Sequence, residues 1–170
     1  MVGFSLGAQV AFKLVTEHEE LFTAAILVSP WLDKNEAMLQ YAMKQNEKQF
    51  HSFKKRWFCN LVGMMNGLPK EQRKEFVEQM QNLKIETVHN AVDIGITLES
   101  VKGFENVKIP VYALAGEKEQ KEVTESVKAL AKCNPNCRYE IWSKAAHNIP
   151  PVHYKRFNEL IKKVAGQDQK

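Results

Sequence analysis

Nothing in the 170-residue chain approaches the roughly 20 consecutive apolar residues that span a bilayer. The longest apolar run, residues 24–28, is the size of one strand, so no membrane partner is expected. A dominant charge sign is also missing. Twenty-four Lys and Arg against 20 Asp and Glu leave a net charge of +4, with the basic residues scattered among the acids. Lys54-Lys55-Arg56 is the one tight basic cluster, and it sits beside Phe53, Trp57 and Phe58. It reads as a solvated helix face with aromatics turned inward, and no nucleic-acid partner is expected. Cysteine is scarce: Cys59, Cys133 and Cys137 give an odd count without a Cys-x-x-Cys pair. That fits a reducing compartment, with the thiols acting as small apolar fillers. Only the turn Asn134-Pro135-Asn136 could bring two of them close. The five histidines have no zinc-type spacing, so neither a metal nor an organic cofactor is implied. With no secretory signal in these residues, the expected location is cytoplasmic.

What the chain does have is a hydrophobic share of 44% and a charged share of 26%, those of a globular protein. Its length suits one domain carrying a sizeable insertion. Near the start stands Gly3-Phe4-Ser5-Leu6-Gly7, the Gly-x-Ser-x-Gly of a nucleophile elbow. Such an elbow is a sharp strand-to-helix turn that lifts a serine Oγ clear of its neighbours. Both glycines are expected to answer a steric need at the crowded turn. By chance alone the pattern arises in a chain of this length roughly once in twenty, so its context decides.

That context is an alternation of strands and helices. Residues 6–18 read as a helix leaving the elbow, with Leu6, Val10 and Leu14 on one face. Residues 22–29 read as a strand covered on both sides, ended by Ser29-Pro30. Residues 109–115 form a second such strand, 122–132 a helix, 138–142 a third strand and 152–164 a last helix. The pattern predicts an α/β parallel sheet flanked by helices. Between Asp33 and Phe104 no strand is evident. Helices are predicted from Asp33 as cap, from Lys70 after a break at residues 63–69, and over 87–98. Some seventy helical residues exceed the dozen or so a crossover needs, which predicts an inserted helical domain. The expected organisation is therefore a core of residues 1–32 and 105–165, an all-helical insertion of 33–104, and a polar tail of 166–170. Met38, Tyr41, Trp57, Phe58, Met64 and Met65 are expected mostly as core of that insertion, or else as lining of an apolar pocket.

A serine needs a base within hydrogen-bond reach and a third group to orient that base. His147 lies after the third strand, in the chain order Ser, acid, His that elbow hydrolases use. His18, His51, His89 and His153 fall in or beside helices and have no such placement. For the acid, Gly116-Glu117-Lys118-Glu119 follows the second strand. Glu119 is the first choice, Glu117 the spare, and Asp33 an alternative that helix capping also explains.

These residues together resemble the C-terminal two-thirds of an α/β-hydrolase of the lipase/esterase-like type with a helical cap. The elbow at residues 3–8 matches, as do the strand and loop through Glu119. Ala146-His147-Asn148-Ile149-Pro150 resembles the family's histidine loop, and Phe157-Asn158-Glu159-Leu160-Ile161 its closing helix. The resemblance implies that Ser5 attacks a small carboxylic ester or related acyl bond, His147 shuttles the proton and Glu119 orients the histidine. The amide of Leu6 would be one oxyanion-hole donor. The family more often carries aspartate at the Glu119 position, so a longer arm must reach the histidine. It also has further strands and a Gly-rich oxyanion loop ahead of the elbow. The expectation is thus an N-terminally truncated sheet of three strands, weakly active or inactive, with one side of residues 22–29 unpaired. An unpaired apolar edge invites self-association. A C–C hydrolase or acyltransferase using the same triad, or a non-catalytic binding module, are the competing readings.

Overall fold

The computed structural model describes residues 1–65 and 68–166. Asn66, Gly67 and all but the first residue of the expected polar tail lie outside them. The chain divides into two compact units, residues 1–34 with 95–170, and residues 35–94.

The first unit is built on a sheet of four parallel strands in the order β1-β2-β3-β4: Val2–Phe4, Ala25–Val28, Val111–Gly116 and Cys137–Trp142. The expected count of three strands is therefore corrected to four. Val2–Phe4 pairs with β2 through Val2↔Ile26, Gly3↔Leu27 and Phe4↔Val28, covering the edge expected to be open. Three residues with a central glycine carry too little alternation to register as a strand in the sequence. Among the described residues the open edges are β1 and β4.

β2 is buried at every position, as a strand covered on both faces must be. Ile26, Val28 and Leu114 pack with Trp142, Ala145, Ile149 and Phe157. α7 (Ile149–Val152) and α8 (Tyr154–Val164) replace the single helix expected over 152–164, with His153 between them. Leu160, Ile161 and Val164 of α8 pack against this cluster. α1 (Leu6–Glu17) buries Ala8, Ala11, Phe12 and Val15, whereas Leu6, Val10 and Leu14 are exposed. The i, i+4 spacing identified a face, but the small Ala8 and Ala11 beside Phe12 and Val15 let the opposite one close on the sheet. α6 (Lys121–Cys133) links β3 to β4. Beyond it Asn134 is fully buried, its amide donating to the carbonyls of Phe104 and Val107 (2.5 and 2.8 Å). Cys59, Cys133 and Cys137 are free thiols; burial, then the neighbouring Cys133, pushes Cys137 up to about 12.

The second unit holds α2 (Glu36–Phe53), α3 (Arg56–Met65), α4 (Lys70–Asn82) and α5 (Ile85–Val92). Asn35, not Asp33, caps α2, its side chain accepting the Met38 N–H at 3.0 Å. α3 runs through Gly63, where a break was expected. Lys54 is not a solvated basic residue: its ammonium donates to the carbonyls of Met80 (3.1 Å), Gln81 (2.7 Å) and Leu83 at the end of α4. A cation at a helix C-terminus meets both the orphan carbonyls and the negative end of the dipole. Tyr41, Trp57, Met64 and Met65 are exposed, so the reading of these residues as core holds at none of the four. No helix among the described residues is long and apolar enough to cross a membrane.

Candidate active site

The strand-to-helix turn between β1 and α1 sets Ser5 at φ 54°, ψ −118°, a conformation that non-glycine residues rarely adopt. Its N–H donates to the Val28 carbonyl (2.8 Å) and its carbonyl accepts from Ala8 (3.0 Å), so sheet and helix hold it from both sides. Gly3 is required there. A Cβ on it would meet the Gly7 carbonyl at 2.5 Å, Ala11 Cβ at 2.7 Å and Ala8 Cα at 2.8 Å. Gly7 is different: a Cβ at that position would find nothing within 4 Å, which corrects the expectation that both glycines answer crowding. Leu6, the first residue of α1, carries one of the amides that a helix leaves without an intrahelical partner.

His147 lies in the loop between β4 and α7. Its Nε2 lies 2.9 Å from Ser5 Oγ, and its Nδ1 lies 2.8 Å from Oε2 of Glu119. The Phe4 ring stands 5.1 Å from the imidazole, tilted by 41°. The histidine side chain is 48% exposed while the Glu119 side chain is 1% exposed, so the acid is the buried anchor of the chain of contacts. Burial works to raise the Glu119 carboxyl. The hydrogen bonds from His147, Ser29 and the Gly116 amide outweigh it and hold the group below its ordinary value of 4.5. An ionised carboxylate can only accept, which makes Nδ1 the protonated nitrogen and leaves the Nε2 lone pair to accept from the Ser5 hydroxyl.

The other acids are elsewhere. Glu117 accepts from the Lys144 N–H (2.7 Å) and Ser143 Oγ (3.0 Å), clamping the turn that leads to His147; these bonds, the Lys144 one first, lower its pKa. Asp33 is exposed, and its N–H donates to Ser126 Oγ (2.9 Å). Of the three candidates, Glu119 is the one in contact with His147.

The loops bearing acid and histidine are fastened together. Glu117 N–H donates to the Trp142 carbonyl (3.0 Å) and Lys118 N–H to that of Ala145 (2.9 Å). Gly116 permits this approach, since a Cβ on it would lie 2.5 Å from the Ala145 oxygen. Ser29, which the sequence offered only as the end of a strand, donates its hydroxyl to Glu119 Oε1 at 2.7 Å. No local signal marks this pair, which is 90 positions apart. Among the described residues no group of three or more His, Cys, Asp or Glu is arranged to hold a metal ion.

No protein-family model and no curated protein matches the sequence. Solved structures do. MenH from S. aureus is similar over 99% of this chain and 68% of its own, at 19% identity and a TM-score of 0.70. An esterase from Thermogutta terrifontis is similar over 98% of this chain and 64% of its own, at 15% identity and 0.68. The enol-lactonase from Burkholderia xenovorans LB400 is similar over 97% and 64%, at 12% identity and 0.71. The chain thus spans about two thirds of the length of these structures. Its four-stranded parallel sheet flanked by helices has the fold of the α/β-hydrolases.

Proposed function

We infer that the chain is a serine hydrolase acting on a small carboxylic ester or a related acyl bond. The observation that carries this reading is the continuous relay from Ser5 Oγ through the His147 ring to buried, ionised Glu119, at 2.9 and 2.8 Å. In such a relay Nε2 takes the Ser5 proton as Oγ attacks the carbonyl carbon, then gives it to the leaving alkoxide oxygen. The acyl-enzyme forms, the alcohol departs and the imidazole is neutral again. Glu119 stabilises the imidazolium formed between these two transfers and keeps the ring in the tautomer that can accept. Water, deprotonated by the same histidine, then releases the acid. The Leu6 N–H is proposed as a donor to the developing oxyanion. The helical unit of residues 35–94 is proposed as a substrate-binding cap, with an apolar ester as substrate and no cofactor. Structures of this fold include an esterase and an enol-lactonase beside bromoperoxidases and MenH, so the acyl bond is proposed on the Ser5–His147–Glu119 relay rather than on the fold.

Turnover of p-nitrophenyl acetate by the full chain, beside a Ser5→Ala variant, tests the reading. Turnover is expected in the unmodified chain and should vanish in the variant. Equal rates in both proteins would overturn the assignment.

A further inference from the structure

Among the described residues three that are not glycine hold a positive φ: Ser5 (54°), Ser29 (53°) and Lys144 (60°). Such conformations are strained, persist only where the surroundings impose them, and gather at functional sites. Ser5 is the proposed nucleophile, and Lys144 forms the turn that Glu117 clamps ahead of His147. Ser29 has no role yet, although it is buried and strained at the end of β2. Its N–H is tied to the Leu114 carbonyl at 2.7 Å. Its hydroxyl donates to Glu119 Oε1, where the Gly116 N–H also donates at 2.8 Å. Two donors on one oxygen fix the carboxylate plane, and Oε2 is then the oxygen left for His147. If the position served the backbone alone, glycine would hold φ 53° without strain. A hydroxyl there instead meets a need of the acid. Glutamate has one more rotatable bond than aspartate, so its carboxylate requires more holding to reach one geometry.

Resting on the proposed Ser5–His147–Glu119 relay, the geometry points to Ser29 as a positioning residue whose hydroxyl pins Glu119 Oε1 so that Oε2 aligns the His147 ring with Ser5. Ser29→Gly isolates the hydroxyl, because glycine keeps the backbone angle and removes the strain. In the full chain this variant should remain folded, because relief of the backbone strain offsets part of the hydrogen bond that Glu119 loses. Its kcat on p-nitrophenyl acetate should fall about tenfold, the low end for a lost hydrogen bond to a charged group. KM should stay within about twofold, as expected when binding is untouched. The His147 Nδ1 proton is expected at low field by NMR in the wild type, given its 2.8 Å contact with Glu119, and should broaden or shift upfield in the variant as Glu119 swings free. A folded Ser29→Gly with wild-type kcat and an unchanged Nδ1 resonance overturns the role of Ser29 while leaving the hydrolase reading intact. A wild type without Ser5-dependent turnover sinks the hydrolase reading instead, and the Nδ1 comparison still decides whether Ser29 holds the acid.

Discussion

Replacing each elbow glycine by alanine in turn should move the protein in opposite directions. At Gly3 the new methyl would meet the Gly7 carbonyl at 2.5 Å, Ala11 Cβ at 2.7 Å and Ala8 Cα at 2.8 Å, well inside the 3.4–4 Å of ordinary contact. Two of those atoms are backbone, so α1 as a whole must lift from β1. Overpacking of this kind costs about 1–3 kcal/mol. At Gly7 the methyl enters open space inside a helix, where alanine is better than glycine by about 1 kcal/mol. The two variants should therefore differ by roughly 2–4 kcal/mol. For a chain of this size that is on the order of 10 °C in melting temperature. Activity should follow the geometry. Lifting α1 carries Ser5 off the His147 nitrogen, and a displacement of about 1 Å lowers turnover about 100-fold. Thermal unfolding by circular dichroism, with ester turnover on the same samples, reads both effects. Gly3→Ala melting at the wild-type temperature, or Gly7→Ala falling as far as Gly3→Ala, would refute the argument.

Glu119→Gln should lower kcat about 10,000-fold, as a neutral amide no longer enforces the Nδ1–H tautomer; a loss under tenfold contradicts the relay. The same residue shapes stability against pH. Its folded pKa is depressed, so its contribution is present above the ordinary value of 4.5 and is lost as pH falls through the lower folded value. Melting curves of the Glu119→Gln variant should lose that part of the acid limb, and an unaltered limb would contradict the assignment. Gly116→Ala should lower turnover about 100-fold, because its methyl would displace the Ala145 carbonyl two residues before His147; kinetics matching wild type would show that the loop yields without moving the histidine. Lys54→Met should destabilise the helical unit by about 1–3 kcal/mol by leaving three carbonyls at the end of α4 without their donor, and an unchanged melting temperature would count against it.

The features legible in the sequence were those with a local signature. Continuous apolar runs gave β2 and β3, and the order of Ser5, Glu119 and His147 along the chain pointed to the residues that the structure brings into contact. Features that depend on contacts distant in sequence were not legible. β1 is three residues long with a glycine at its centre, and only its pairing with Ile26, Leu27 and Val28 makes it a strand. The Leu6, Val10 and Leu14 stripe has helical spacing, yet the partner surface, not the spacing, selects the face that Phe12 and Val15 occupy. Ser29 and Gly116 look like a strand end and a turn until the fold brings Glu119 and Ala145 against them. The sequence ranked Glu119 ahead of Glu117 and Asp33, but only the geometry of the His147 loop separates the three.

The central claim is that Ser5 is a nucleophile activated by His147. Labelling of the full chain with a fluorophosphonate, followed by mass mapping of the adduct, tests it without knowledge of the natural substrate. A single adduct on Ser5 is expected, absent in Ser5→Ala and formed at least 100-fold more slowly in His147→Ala. A chain that stays unlabelled, or one labelled equally fast without His147, would contradict the account.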